Sequence, residues 1–193
     1  MPHRSADTAT GLQPPAGRLE LPLAWEAIAR PPSPEMLDAA EQANLGVLSF
    51  LLQGVELEAR PRPLDDALAE AIAPLRVKLD MITDMLARLC YREVEMPPRR
   101  WAELAPGQFG WLSPQPSRAG DWLRIRIYFD PVFRDPVVLF GKVSACRATG
   151  GGDYAIETDL AGVSERAGSD LARLAYLADR RQRARRLADR RGA

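Results

Sequence analysis

Between residues 68 and 89 the chain repeats Leu68, Ile72, Leu75, Leu79, Ile82, Leu86 and Leu89 at alternating steps of four and three. This is a heptad seam, an apolar stripe narrower than that of an ordinary surface helix, and it demands a second helix laid along it. No other pattern in the chain restricts folding as strongly. Two arrangements satisfy it. A helical hairpin can fold the seam back on the chain's own β domain, or several copies can bring their seams together. The second is favoured, because two helices that are each apolar on one stripe present more apolar surface than a small β domain can cover.

The helix carrying the seam is expected over roughly residues 64–91, with a kink or restart at Pro74, where an unbroken helix would be about 3 kcal/mol less stable. An earlier helix starts at Ser33, which offers an N-cap hydroxyl, followed by Pro34 in the first turn and Glu35 near the positive end of the dipole. It should run to about Gln53, with Gly54 as its stop and Leu45, Leu48, Leu52 and Val55 on one stripe that suits packing on a second helix. Arg60 to Pro63 is the turn between the two helices. Ahead of them, Arg18 to Ile28 alternates loosely around Leu19, Leu21, Leu23 and Trp25, which fits an edge strand or a packed arm. Residues 1–17 are small and polar and too poor in apolar groups to offset the entropy of ordering.

From Glu93 onward the period changes to two. Leu123, Ile125, Ile127 and Phe129 alternate with Trp122, Arg124, Arg126 and Tyr128, and Val137, Leu139, Gly141, Val143 and Ala145 do the same. Phe109 to Leu112 and Tyr154 to Thr158 are shorter candidates, with turns at Ala119-Gly120-Asp121, Asp130-Pro131 and Gly150-Gly151-Gly152-Asp153. Several short antiparallel strands in so short a segment point to a barrel, because closure removes exposed edges. A last helix begins between Ser164 and Ser169, buries Leu171, Leu174, Ala175 and Ala178, and becomes rich in arginine from Arg180 to Arg191.

With 193 residues the chain suits one modest core plus an appendage, and its 26 basic and 26 acidic side chains cancel, so overall charge favours neither nucleic acid nor membrane as a partner. Its two cysteines, Cys90 and Cys146, form no paired motif, which fits a reducing compartment and a cytoplasmic address. The longest apolar stretch, Leu45 to Leu52, is far too short to span a bilayer, and Met1 to Pro15 lacks an apolar export core.

The segment Glu103-Leu104-Ala105-Pro106-Gly107-Gln108-Phe109-Gly110-Trp111, followed by Gly120-Asp121-Trp122-Leu123, a long Val137 to Val143 strand, a Tyr154 to Leu160 strand and the arginine-rich helix, resembles a PilZ domain over about residues 92–190. The helices with heptads ahead of it resemble an atypical, oligomeric bacterial branch of that family. The resemblance implies an α+β fold: an N-terminal helical hairpin, a small antiparallel six-stranded β-barrel and a C-terminal helix. The implied division is a tail at 1–17, an extended arm and hairpin at 18–91, and a barrel with its helix at 92–193.

In PilZ domains an Asp/Asn-x-Ser-x-x-Gly turn joins two barrel strands and helps to bind cyclic-di-GMP, assisted by an upstream Arg-x-x-x-Arg segment. Here Glu103 stands for Asp or Asn, Ala105 for Ser and Gln108 for Gly. Ala105 brings no hydroxyl to a ligand, and Gln108 cannot reach positive φ as cheaply as glycine, although Gly107, one position earlier, can supply the turn. Arg88-Leu89-Cys90-Tyr91-Arg92 matches Arg-x-x-x-Arg literally, but helix-end arginines favoured by the macrodipole account for it as well. Arg99 and Arg100 are better placed to reach a phosphate at the barrel mouth, their bland alternative being a solvated pair. Trp101 and Trp111 are candidates to stack on a base, against the commoner role of aromatics as barrel core. Glu103 and Asp121 as a carboxylate pair fit solvated surface better.

Catalysis finds little support. His3 is the only histidine and lies in the polar tail, which leaves no positioned imidazole for a triad, a general base or a histidine metal site. No Walker loop or dinucleotide fingerprint occurs, and Gly150-Gly151-Gly152 reads as a hairpin turn. The expected protein is therefore a non-enzymatic regulator or adaptor in cyclic-di-GMP signalling, without a resident cofactor. Its ligand binding is weak or lost, and it acts as a homo-oligomer that docks a protein partner. Candidate ligand residues are Arg99, Arg100, Glu103, Arg88 and Arg92, and the seam is Leu75, Leu79, Ile82, Leu86 and Leu89. The first alternative is a cyclic-di-GMP receptor with a non-standard site. The second is a basic nucleic-acid-binding accessory protein, which Asp179 and Asp189 disfavour by interrupting the basic run.

Overall fold

A computed structural model describes residues 18–59, 65–92 and 95–192. The polar tail with His3 and the turn from Arg60 to Pro63 lie outside the described residues. The elements in chain order are β1 (Arg18–Ile28), α1 (Pro34–Ala59), α2 (Asp66–Cys90), β2 (Arg99–Ala105), β3 (Gln108–Ser113), β4 (Trp122–Ile127), β5 (Val137–Ala148), β6 (Tyr154–Ala161) and α3 (Glu165–Gly192). The strands close a six-membered antiparallel barrel in the order β1-β2-β3-β6-β5-β4.

The barrel reaches back to residue 18 and is not confined to 92–193. Arg18–Ile28 is neither an edge strand nor an arm. Its first half, Arg18 to Pro22, pairs with β2, and its second half, Leu23 to Ile28, pairs with β4. Pro22 sits at the changeover, where its missing N–H removes no ladder bond. Its carbonyl accepts from Tyr128 N–H at 3.1 Å while Leu23 N–H donates to Pro98 at 3.2 Å. The alternation read from the sequence holds. Leu19, Leu21, Leu23, Leu123, Ile125, Ile127, Val137, Leu139, Val143 and Ile156 are all buried in one core. Gly141 belongs to that inner row because Thr158 fills the space over it. A Cβ at Gly141 would meet the Thr158 Cβ at 2.8 Å, and Thr158 Oγ1 donates to the Phe109 carbonyl at 2.8 Å.

α1 begins as expected, with Ser33 Oγ accepting from Met36 N–H at 3.3 Å. It does not stop at Gly54 but continues to Ala59, because Leu51, Leu52 and Val55 carry the buried stripe past the glycine. That stripe packs on α3 and on β5. Asn44, within it, is nearly fully buried and grips a strand: its Nδ2 donates to the Val138 carbonyl at 2.7 Å and its Oδ1 accepts from Val138 N–H at 2.8 Å. Val138 lies where β5 extends beyond β6, whose pairing begins at Phe140, so the side-chain amide replaces a missing strand.

Gln182 of α3 does the same for β1. Its Oε1 accepts from Glu20 N–H at 3.3 Å and its Nε2 donates to the Glu20 carbonyl at 2.8 Å, on the stretch of β1 that β4 does not reach. Two helical amides thus finish two strands and fix α1 and α3 to the barrel.

α2 runs unbroken through Pro74, without the expected restart. The proline is exposed, so the carbonyl it leaves without a donor remains open to water.

Candidate functional site

The seam is uncovered. α2 packs substantially on no other described element. Leu68, Leu75, Leu79, Ile82, Leu86 and Leu89 are exposed, with Leu75 and Leu79 each at 63% and Leu89 at 72%, while Ile72 is half-buried. The hairpin that folds its seam back on its own barrel is therefore not the arrangement of this chain. The apolar stripe of α1 fulfils that role and leaves the stripe of α2 in solvent. In heptad terms Ile72, Leu79 and Leu86 occupy a positions, and Leu68, Leu75, Ile82 and Leu89 occupy d positions. The flanking e and g positions hold Ala69, Ala71, Arg76, Lys78, Thr83, Met85 and Cys90, and the acids Glu70, Asp80 and Asp84 lie on the outer face. Arg88 belongs to that outer face as well, bonded to Asp84 at 2.9 Å in an exposed pair one turn apart.

The residues expected to hold an anionic ligand lie on two elements, Arg99, Arg100 and Glu103 on β2 and Arg88 and Arg92 at the end of α2 and just past it. Arg99, at the start of β2, donates to the Glu20 carbonyl at 2.6 Å. Arg100 is its neighbour in sequence but faces the other way, with its guanidinium 5.7 Å from the Trp25 ring centroid and its Nε buried without a hydrogen-bond partner. Glu103 pairs by register with Arg18 and Gly110. Arg88 and Arg92 lie at the end of α2 and just beyond it.

The worn turn is built for structure. Gly107 adopts a φ of 71° and supplies the left-handed residue that the usual glycine position lacks. Its carbonyl accepts from Leu160 N–H at 2.8 Å, and Gln108 Nε2 donates to Asp159 at 3.1 Å. Beside it lies an apolar groove of about 430 Å³ lined by Leu104, Pro106, Leu160, Val163 and Leu171.

The two tryptophans also have structural partners. Trp111 is barrel core, with ring centroids 5.4 Å from Trp25 and 5.7 Å from Phe109. Trp101 points outward, and the Arg186 guanidinium lies 4.9 Å from its ring centroid while bonding the Glu20 carboxylate at 3.1 Å. Glu20 is thus the fastener of this face, joined through backbone or carboxylate to Arg99, Gln182 and Arg186. A second groove, of about 340 Å³, opens between α1, α3 and the barrel, with Phe50, Met96, Arg99, Tyr128, Asp130 and Arg181 in its lining.

Sequence reasoning did not pick out Glu20, Asn44, Tyr91 or Gln182. The one local signal was Asn44 standing inside an apolar helical stripe. Burial first and the Asp135 carboxylate second push the pKa of Tyr91 above the usual tyrosine range. Among the described residues no group of three or more His, Cys, Asp or Glu is placed to hold a metal, and no helix is long and apolar enough to cross a membrane.

No family model matches the sequence, and no curated protein matches it. The fold is matched. The chain is similar to a pathogenic protein from Xanthomonas campestris described as a new tetrameric PilZ domain self-assembled via an unusual helical bundle. The likeness has a TM-score of 0.62 at 20% identity and covers 86% of this chain and 89% of the other. The architecture built here from residues, a six-stranded barrel with helices ahead of it and after it, is the PilZ fold.

Proposed function

We propose that this protein is a non-enzymatic, cytoplasmic PilZ-like adaptor that self-associates through α2 and presents several barrels to a protein partner. The observation that carries the reading is the uncovered seam, an unbroken helix of 25 residues whose heptad leucines lie in solvent while the apolar stripe of α1 is packed. The breadth of its apolar face favours more than two strands. Two-stranded coils place charge at most e and g positions, whereas alanine, threonine, methionine and cysteine dominate here, and Leu79 at a followed by Ile82 at d is a higher-order pattern. The tetrameric helical bundle of the Xanthomonas campestris protein supports the same stoichiometry. Presenting several barrels on one bundle raises avidity without new contacts. Sedimentation tests this directly: a tetramer at micromolar concentration is expected, and a monomer there would remove the reading.

Cyclic-di-GMP binding is weak or lost in this reading. Arg99 is engaged by the Glu20 carbonyl, Arg100 lies beside Trp25, Arg88 pairs with Asp84, and Ala105 has no hydroxyl to offer. The alternative, a receptor with a non-standard site, is favoured by one observation, the groove of about 340 Å³ that has Arg99 and Arg181 in its lining. Calorimetric titration with cyclic-di-GMP separates the two. No heat at high protein concentration, repeated at a second temperature, is expected of the adaptor, and micromolar binding abolished by Arg99→Ala would establish the receptor.

A further inference from the structure

We infer that the end of the barrel where Trp25, Arg100 and Trp111 meet is a binding site for an organic carboxylate; it lies at the other end of β2 from the Gly107 turn and is independent of the assembly proposed for α2. Strand alternation puts all three side chains on the inner face of the barrel. Trp25 pairs by register with the fully buried Ile125, Arg100 with Leu21, and Trp111 with Ala102 and Ile156, all of them core positions. Arg100 stands two residues before Ala102 on β2, so it is a diagonal neighbour of Trp111, a separation that long and aromatic side chains bridge. Both pack on one ring: the Arg100 guanidinium lies 5.7 Å from the Trp25 centroid, and the Trp111 ring lies 5.4 Å from it.

What these side chains lack is an acceptor. Trp111 is 3% exposed and its Nε1–H is buried with no hydrogen-bond partner, and Arg100 Nε is buried in the same condition. Among the described residues Arg100 makes no ion pair, and its charge meets only the face of Trp25. Other arginines of the barrel and of α3 have their acids: Arg124 and Arg126 share Glu26 at 3.7 Å and 3.8 Å, Arg147 has Glu157, and Arg186 has Glu20. Glu26 follows Trp25 in sequence but points to the outer face of the strand, away from Arg100. The Ser113 hydroxyl, next on the inner row after Trp111, is engaged by Gln115. A half-buried cation without a counter-charge and a buried N–H without an acceptor are both unfavourable, and one bound anion relieves both. The charge and shape select a carboxylate. One arginine balances one negative charge, and a flat carboxylate has an oxygen for each of the two donors, whereas a doubly charged phosphate would leave charge uncompensated among the rings. Trp25 and Arg100 are only half-buried, which leaves a small acid a way in.

The indole N–H resonances read the site directly. The chain has four tryptophans, and the Trp111 signal in a nitrogen–proton correlation spectrum of the isotope-labelled full chain is the one that disappears in Trp111→Phe. Sodium acetate is titrated against sodium chloride at constant ionic strength. The Trp111 signal is expected to move downfield and to saturate in the millimolar range, and the affinity to fall about tenfold or more in Arg100→Gln. N-acetylglutamate methylamide, titrated in parallel, identifies the source of the carboxylate: binding no tighter than acetate assigns the site to free organic acids, and tighter binding assigns it to an acidic side chain of a protein partner. A Trp111 signal that stays in place or never saturates, a shift that survives unchanged in Arg100→Gln, or inorganic phosphate binding more tightly than acetate would overturn the carboxylate site. Arg100→Lys keeps the charge but removes the forked donors, so if Arg100→Gln fails to fold it takes its place, with weakened acetate binding expected and unchanged binding refuting the site. Oligomeric state does not enter, so a monomer by sedimentation would remove the assembly reading and leave this inference standing.

Discussion

Replacing Leu79 by alanine should dissolve the assembly and leave the barrel untouched. Leu79 is 63% exposed in the single chain and makes no core contact, so in isolation its truncation exposes nothing new and strands no partner. In a bundle it becomes an a-layer residue, and a buried Leu→Ala change there costs about 2.5 kcal/mol per chain. With one substitution on each strand of a tetramer, the loss is about 10 kcal/mol per assembly, or about seven powers of ten in the association constant. Because four chains make one assembly, the concentration at half-dissociation rises by the cube root of that factor, about 200-fold to 300-fold. Sedimentation across a dilution series reads this shift, and a thermal melt followed by tryptophan fluorescence reads the barrel. Val77→Ala is the control: Val77 is just as exposed, at 68%, but stands at an f position away from the seam. The reasoning is refuted if Leu79→Ala leaves the oligomer intact, if Val77→Ala disrupts it equally, or if a monomeric Leu79→Ala variant has lost its barrel.

Other consequences concern the barrel and its fastenings. Asn44→Ala removes both bonds to Val138 and leaves a strand N–H and carbonyl without partners, which should cost about 2 to 4 kcal/mol in urea denaturation at constant m-value. Gly162→Ala combines a φ of 68° with a new Cβ only 2.8 Å from Leu37 Cβ, so it should loosen the approach of α1 and destabilise the fold by about 1 to 3 kcal/mol in the same assay. Tyr91, raised above its ordinary range by burial and by Asp135, is held neutral in the folded state. Its contribution to stability is therefore complete below the unfolded tyrosine pKa of about 10 and declines as pH climbs through the higher folded value. Absorbance titration of Asp135→Asn should show one phenol moving part of the way down, because burial, the larger cause, remains.

What could be read from the sequence was what repeats locally. The two-residue period around Leu123, Ile125 and Ile127 and around Val137, Leu139 and Val143 located β4 and β5, because the residues that alternate are the residues that face the core. β2 gave no such signal: its inner row begins with Arg100, an arginine lying beside Trp25, before Ala102 and Leu104 continue it. β1 alternated visibly, yet its standing as a barrel strand depends on partners some 80 to 100 residues away. The amide clamps were hidden for the same reason, since Asn44 meets a strand 94 residues later and Gln182 one 162 residues earlier. Gly54 looks like a stop because propensity acts locally, while burial of Val55 in the shared core carries the helix onward. The seam is legible as a stripe, but whether its own barrel would cover it depends on how α1 packs, and no periodicity within α2 contains that information.

The division of apolar surface between the two N-terminal helices decides how folding relates to assembly. α1 contributes Leu48, Leu51, Leu52 and Val55 to the same core as the barrel strands, so it cannot leave without opening that core. α2 contributes none of its seam residues to the core, so the core is complete without the seam being covered. If the seam is the assembly surface proposed above, the protein is expected to fold as a monomer and associate in a second, concentration-dependent step. Substitutions on the seam then tune assembly without altering the barrel, and substitutions at Glu20, Asn44 or Gln182 alter the barrel without altering the seam. The two sets should be additive in stability measurements, because they share no side-chain contact. A double-mutant cycle of Leu79→Ala with Asn44→Ala should therefore close within about 0.5 kcal/mol.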